Sequence, residues 1–160
     1  MGMRLSLAMV TSEELDRLSR DPSQVAPLLL HRRPEIHLAM EKEWHGIQFL
    51  LTGEPWPVSN PLGMVIFGAN EIGEDLGYGP ARTLTVEQVK EVATKLFETS
   101  TEILRSRYDV RAMTEEKIYP EVWEREGNAA LDWLMAGYQR LVDFYMLASN
   151  RGYAVVLAIL

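Results

Sequence analysis

Three segments carry the residues that could do chemistry. The first is Lys42-Glu43-Trp44-His45-Gly46-Ile47-Gln48-Phe49-Leu50-Leu51-Thr52-Gly53. In a helix, His45 sits about 100° round from Trp44, and Glu41, four residues back, comes within reach of it. That pattern fits a general base oriented by a carboxylate. It fits equally a histidine hydrogen-bonded at the edge of the core, and the motif holds no second histidine or serine to complete a catalytic set. The second segment is Gly73-Glu74-Asp75-Leu76-Gly77-Tyr78-Gly79-Pro80-Ala81-Arg82. Its glycines let a ligand approach the backbone, Tyr78 offers an amphipathic ring, and Arg82 offers a planar fork for carboxylate or phosphate. Against that stands a turn-dense connector in which backbone N–H groups cap the acids and Arg82 neutralises Glu74 or Asp75. The third is Ile118-Tyr119-Pro120-Glu121-Val122-Trp123, read as a rigid corner that packs Tyr119 and Trp123 on the core or as a pocket wall.

Two function classes follow. In one, the chain is a non-catalytic binding or protein-interaction domain, with Tyr78, Arg82 and Tyr119 contacting a protein or small-molecule partner. In the other it is a small, metal-independent hydrolase-type enzyme. His45 would be its base, Glu74 or Asp75 its acid, and Arg82 its anion stabiliser. The first is preferred, because no complete set of nucleophile, base and orienting group is visible. The residues by themselves do not identify an activity.

Composition removes several other classes. The chain has 160 residues, no cysteine, and 23 acidic against 16 basic side chains, for a net charge of −7. Thiol catalysis, zinc–cysteine sites, iron–sulfur clusters and disulfides are excluded. His31 and His37 lack ligand spacing, the calcium-loop pattern is absent, and no Gly-Lys-Ser/Thr follows the glycine-rich segment. No metal and no cofactor are expected. The acidity disfavours nucleic acid and anionic membranes as partners, and a cytoplasmic setting fits a cysteine-free chain.

These residues must be positioned by ordinary elements. Met3, Leu5, Leu7 and Met9 alternate with Arg4, Ser6 and Ala8, which predicts a strand with one buried face. Thr11 and Glu14 form a capping box for a helix reaching about Arg20. Asp21-Pro22 opens a second helix, with a kink or restart at Pro27. Met40, Trp44, Ile47 and Leu51 predict one helical stripe, ended by Gly53. Residues 64–67 fit a strand or a helical turn, and 81–84 a short strand. Thr85 caps a helix with Val89, Val92, Ala93, Leu96 and Phe97 inward, and a second helix covers about 100–107. Asn128 caps the longest helix, and residues 153–160 form a strand covered on both faces. The expected architecture is α+β: a single domain over residues 1–160 in which a small sheet containing the N- and C-terminal strands packs against several helices.

The ordered set Trp44-His45-Gly46, Phe49-Leu50-Leu51-Thr52-Gly53, Gly77-Tyr78-Gly79-Pro80-Ala81-Arg82, Tyr119-Pro120 and Trp123 resembles the YfbM-like family of small bacterial proteins. The resemblance extends over nearly the whole chain. It implies an α+β single domain and a cytoplasmic setting, and it brings no activity, cofactor or catalytic residue with it, since the family is a domain of unknown function. The chain departs from the family pattern at Glu43, where a small residue usually precedes the tryptophan. The helical stripe places Glu43 on the solvent side, with little consequence expected.

Overall fold

The structure, a computed structural model, describes residues 2–160. The first half of the chain forms β1 (Leu5–Val10), α1 (Ser12–Arg20), α2 (Val25–Leu30), β2 (His37–Met40), α3 (Trp44–Thr52), α4 (Met64–Phe67), β3 (Asn70–Asp75) and β4 (Pro80–Leu84). The second half forms α5 (Val86–Glu98), α6 (Thr101–Arg107), α7 (Val110–Glu115), α8 (Trp123–Glu126), α9 (Asn128–Asn150) and β5 (Ala154–Ile159). The five strands make one antiparallel sheet in the order β2-β1-β5-β4-β3. This is the expected α+β architecture, and its two terminal strands pair directly, from Leu5 opposite Ile159 to Val10 opposite Ala154. Reciprocal backbone hydrogen bonds between Arg4 and Leu160 extend that ladder.

Alternation along β1 and β5 sorts side chains between two hydrophobic layers. Leu5, Leu7, Met9, Val155 and Leu157 enter a large core shared with α3, α5 and α9. Ala8, Val10, Ala154, Val156 and Ala158 enter a smaller cluster under α1 and α2. So β1 is buried on both faces, not one. Its polar residue Ser6 is accommodated because its hydroxyl donates to the Leu29 carbonyl.

Local signals fix most helix boundaries. Thr11 with Glu14, and Thr85 with Gln88, form reciprocal capping boxes. After Asp21 the chain makes a 3-10 turn (Pro22–Gln24) and restarts as α2 at Val25. Pro27 thus falls in the first turn of α2, where its missing N–H costs no helical bond. Three helix expectations fail, and one open choice is resolved. Met40 belongs to β2, paired with Leu5, and not to the helix that starts at Trp44. Residues 64–67 are a single helical turn. Phe97 is 78% exposed, because α5 presents only Val89, Val92, Ala93 and Leu96 to the core. Asn128 is the first residue of α9, and Gly127 holds the cap position.

Glu43 is a further correction. It is buried and forms an ion pair with Arg140 on α9, while its Oε2 has no hydrogen-bond partner. The space exists because α9 has glycine at 137: a Cβ there would stand 2.7 Å from Glu43 Cγ and 3.2 Å from Ile47 Cδ1. Gly46 does the same from the other helix, since a Cβ there would stand 2.7 Å from Leu134 Cδ2 and 2.8 Å from the Trp123 ring. Two glycines, one on each helix, let α3 lie close against α9. Among the described residues no helix is long and apolar enough to cross a membrane.

Candidate functional site

In α3, every residue from Trp44 to Leu51 except Phe49 is buried. His45 is therefore an interior residue, and both ring nitrogens are committed to backbone. Nδ1 accepts from the Tyr119 N–H at 2.9 Å, which makes Nε2 the protonated nitrogen that donates to the Pro55 carbonyl at 2.9 Å. The ring stacks on Trp44, with centroids 4.8 Å apart, and lies 5.3 Å from the Trp56 ring. Burial lowers the His45 pKa, and the bond to Pro55 offsets this only in part. A neutral imidazole is what both hydrogen bonds require. Glu41, expected beside it, pairs instead with Arg4 at 2.9 Å.

The loop after α3 is tied down by this arrangement. Gln48, also buried, donates from Nε2 to the Trp56 carbonyl at 3.1 Å. The Thr52 hydroxyl receives the Glu54 N–H at 3.1 Å. His45 and Gln48 thus anchor the loop at Pro55 and Trp56, and the Trp56 side chain stands 63% exposed above them. Tyr119 attaches to the opposite edge of the imidazole and packs 6.3 Å from Trp44. It props the histidine from the core side.

Opposite this loop is the β3–β4 hairpin. Its turn is built by Asp75, whose Oδ1 accepts from the N–H groups of Gly77 at 2.6 Å and Gly79 at 3.1 Å. Gly77 (φ 121°) and Gly79 (φ 99°) adopt backbone conformations that side chains rarely tolerate. Tyr78, between them, is 60% exposed. Arg82 lies in β4 opposite Glu71 in β3 and bonds it at 3.2 Å. This corrects the expected pairing with Glu74 or Asp75: Asp75 is occupied by the turn, and antiparallel register puts Glu71 beside Arg82.

Trp56, Tyr78 and Arg82 border one groove of about 200 Å³, floored by Phe67, Leu157 and Ile159. A neighbouring cleft of about 440 Å³ shares Pro57 and Arg82 with it and continues toward Asn60 and Glu91. Glu74 lies elsewhere, in a cleft with Pro22 and Ile72 on the other face of the sheet. The structure therefore brings Tyr78 and Arg82 together, uses Asp75 as a turn residue, and leaves His45 and Glu74 apart from them. Among the described residues no three His, Asp or Glu side chains gather as a metal-binding group. Trp56 was not singled out from the sequence, although a tryptophan between two prolines in a loop, Pro55-Trp56-Pro57, is a readable sign of an exposed, rigidly mounted ring.

The geometry defines a small antiparallel α+β domain with an aromatic-rimmed groove at the end of its sheet. The chain belongs to the DUF1877 family, a domain of unknown function whose model matches residues 1–158. Its fold is similar to that of YfbM from Escherichia coli, a protein of unknown function known from a crystal structure. The TM-score is 0.80 at 21% sequence identity, over 99% of this chain and 100% of that one. No curated protein matches the sequence.

Proposed function

We propose that this chain is a non-catalytic binding domain whose groove at Trp56, Tyr78 and Arg82 takes an extended segment of a protein partner. The observation that carries this reading is the pair of exposed aromatic rings on rigid mounts at the rim of one groove. Tryptophan, tyrosine and arginine are the residue types that dominate protein-binding hot spots. A groove of about 200 Å³ falls below the roughly 300–1,000 Å³ of small-molecule sites and admits one apolar side chain. Arg82 would hold a carboxylate beside that side chain. Its pair with Glu71 is exposed, and exposed pairs contribute only about 0–1 kcal/mol, so exchange is easy. We place the domain in the cytoplasm, and its net charge of −7 supports a protein partner over nucleic acid or an anionic membrane.

Selection from a random peptide library on the immobilised protein tests this. Enriched peptides should pair an aromatic or aliphatic side chain with Asp or Glu. Their binding should fall at least about tenfold in Trp56→Ala and in Arg82→Ala, with unchanged thermal melts. Enrichment indifferent to both variants, or none at all, would sink the reading.

A further inference from the structure

A large cleft lies on the opposite side of the sheet, between α1 and α2. It has a volume of about 750 Å³ and an apolar floor of Val10, Leu18, Pro27 and Leu28. Its rim carries Arg17, Arg20 and Arg33 together with His31. On a chain with seven more acids than bases, three arginines line this one cleft. Among the described residues seven ion pairs form elsewhere, so carboxylates are not scarce, and none of the seven involves these arginines. The two acids of the cleft are engaged locally. Glu14 accepts from the Thr11 N–H in the capping box, and Asp21 accepts from the Ser23 hydroxyl. Arg20 donates only from Nε, to the Asp16 carbonyl. His31 donates from Nδ1 to the Pro27 carbonyl, leaving Nε2 without a partner among the described residues.

Arg17 and Arg20 lie in the last turn of α1, where the helix C-terminus favours cations while their like charges repel each other. Unlike the groove at Trp56, this cleft has the size of a small-molecule site. An apolar floor below guanidinium groups matches a ligand with a hydrocarbon body and an anionic head, and guanidinium forks hold such heads through charge-assisted, bidentate hydrogen bonds. We propose that the α1–α2 cleft binds a small amphipathic organic anion, its carboxylate or phosphate head held by Arg17 and Arg33 and its chain laid over Leu18, Pro27 and Leu28.

Calorimetric titration of the whole protein with decanoate, decyl phosphate, decanol and decyltrimethylammonium, each below its micelle concentration, tests this. At least one of the two anions should bind saturably at one site, while decanol and the cation bind at least about tenfold more weakly. The preferred anion identifies the head group. The double variant Arg17→Ala/Arg33→Ala should lose at least about tenfold in affinity while keeping its melt. Trp56→Ala, across the sheet, should bind as the native protein does. Decanol binding as tightly as the anions would reduce the cleft to an apolar surface and overturn the proposal. So would affinity unaffected by the double variant, or no binding of either anion. Binding of an acidic amphipathic helical peptide in place of both anions would overturn the small-molecule assignment.

Discussion

On one face of the sheet, Leu5, Leu7, Val155 and Leu157 meet α3, α5 and α9 in a core that buries Trp44, Trp123, Tyr138 and Tyr145. On the other face, Ala8, Ala154, Val156 and Ala158 meet α1 and the six-residue α2. The same two strands supply both faces, so the difference comes from side-chain size at alternate positions. Large residues fill the deep side. Alanines on the thin side let two short helices sit low, and those helices are too few to cover the face. Two thin-side spaces, of about 750 and 520 Å³, are what they leave open. The deep side has openings as well, one of about 570 Å³ beside α8 and α9 and the groove where the loop carrying Trp56 leaves the helices. The large aromatic core thus lies on one face, and the 750 Å³ cleft on the other.

Removing residues 153–160 should have the largest effect, because β5 lies at the centre of the sheet and belongs to both layers. The truncated chain should show no cooperative melt by circular dichroism, and a retained transition would mean that one layer stands alone. Next, paired truncations compare the faces directly. Leu134→Ala in the deep core should cost about 4 kcal/mol, whereas Leu18→Ala, at the edge of the open cleft, should cost about 2 kcal/mol. Equal costs in denaturant titration would erase the distinction.

Arg140→Ala strips the partner from buried Glu43 and should cost about 3 kcal/mol, read in the same titrations. Gly46→Ala sharpens the packing claim through its sign. Helix propensity alone would stabilise it by about 1 kcal/mol. The contacts with Leu134 and the Trp123 ring should instead make it less stable by about 1–2 kcal/mol, and a stabilised variant would show that the α3–α9 seam has slack. The shallowest effect is in pH. The His45 pKa is depressed in the folded state, so the unfolded chain binds more protons as pH falls through its ordinary value of 6.5. Stability from this residue is complete above that value and declines below it. Melting temperature should drop from pH 7.5 to pH 5.5 by more in the native protein than in His45→Gln, and equal drops would show that His45 titrates freely.

Much of the fold was legible because its signals are local. The caps at Thr11 and Thr85, the stripe of Trp44, Ile47 and Leu51 along α3 and the apolar ends of the chain depend on neighbours within one helical turn or on strict alternation. The missed strands were those with little pattern to read. β2 has four residues, and β3 sits at the sheet edge with only Ile72 buried, so edge exposure hides its alternation. In the candidate site, Tyr78 and Arg82 could be picked out as a glycine-flanked ring and a fork. Their convergence with Trp56 required the hairpin and a distant loop to meet.

The amino-acid order by itself determined where α1 and α5 start, the apolar character of the two terminal strands, and that no cysteine chemistry is available. Tertiary structure alone decided that His45 is a strut between Pro55 and Tyr119, residues 10 and 74 positions away. It also decided that Glu43 turns inward toward Gly137 and Arg140, that Arg82 meets Glu71, and that three arginines gather over one apolar floor. The physical reason is the same in each case. Capping and periodicity are satisfied within a few residues, whereas the burial of a polar group depends on which distant backbone or charge the fold brings to it.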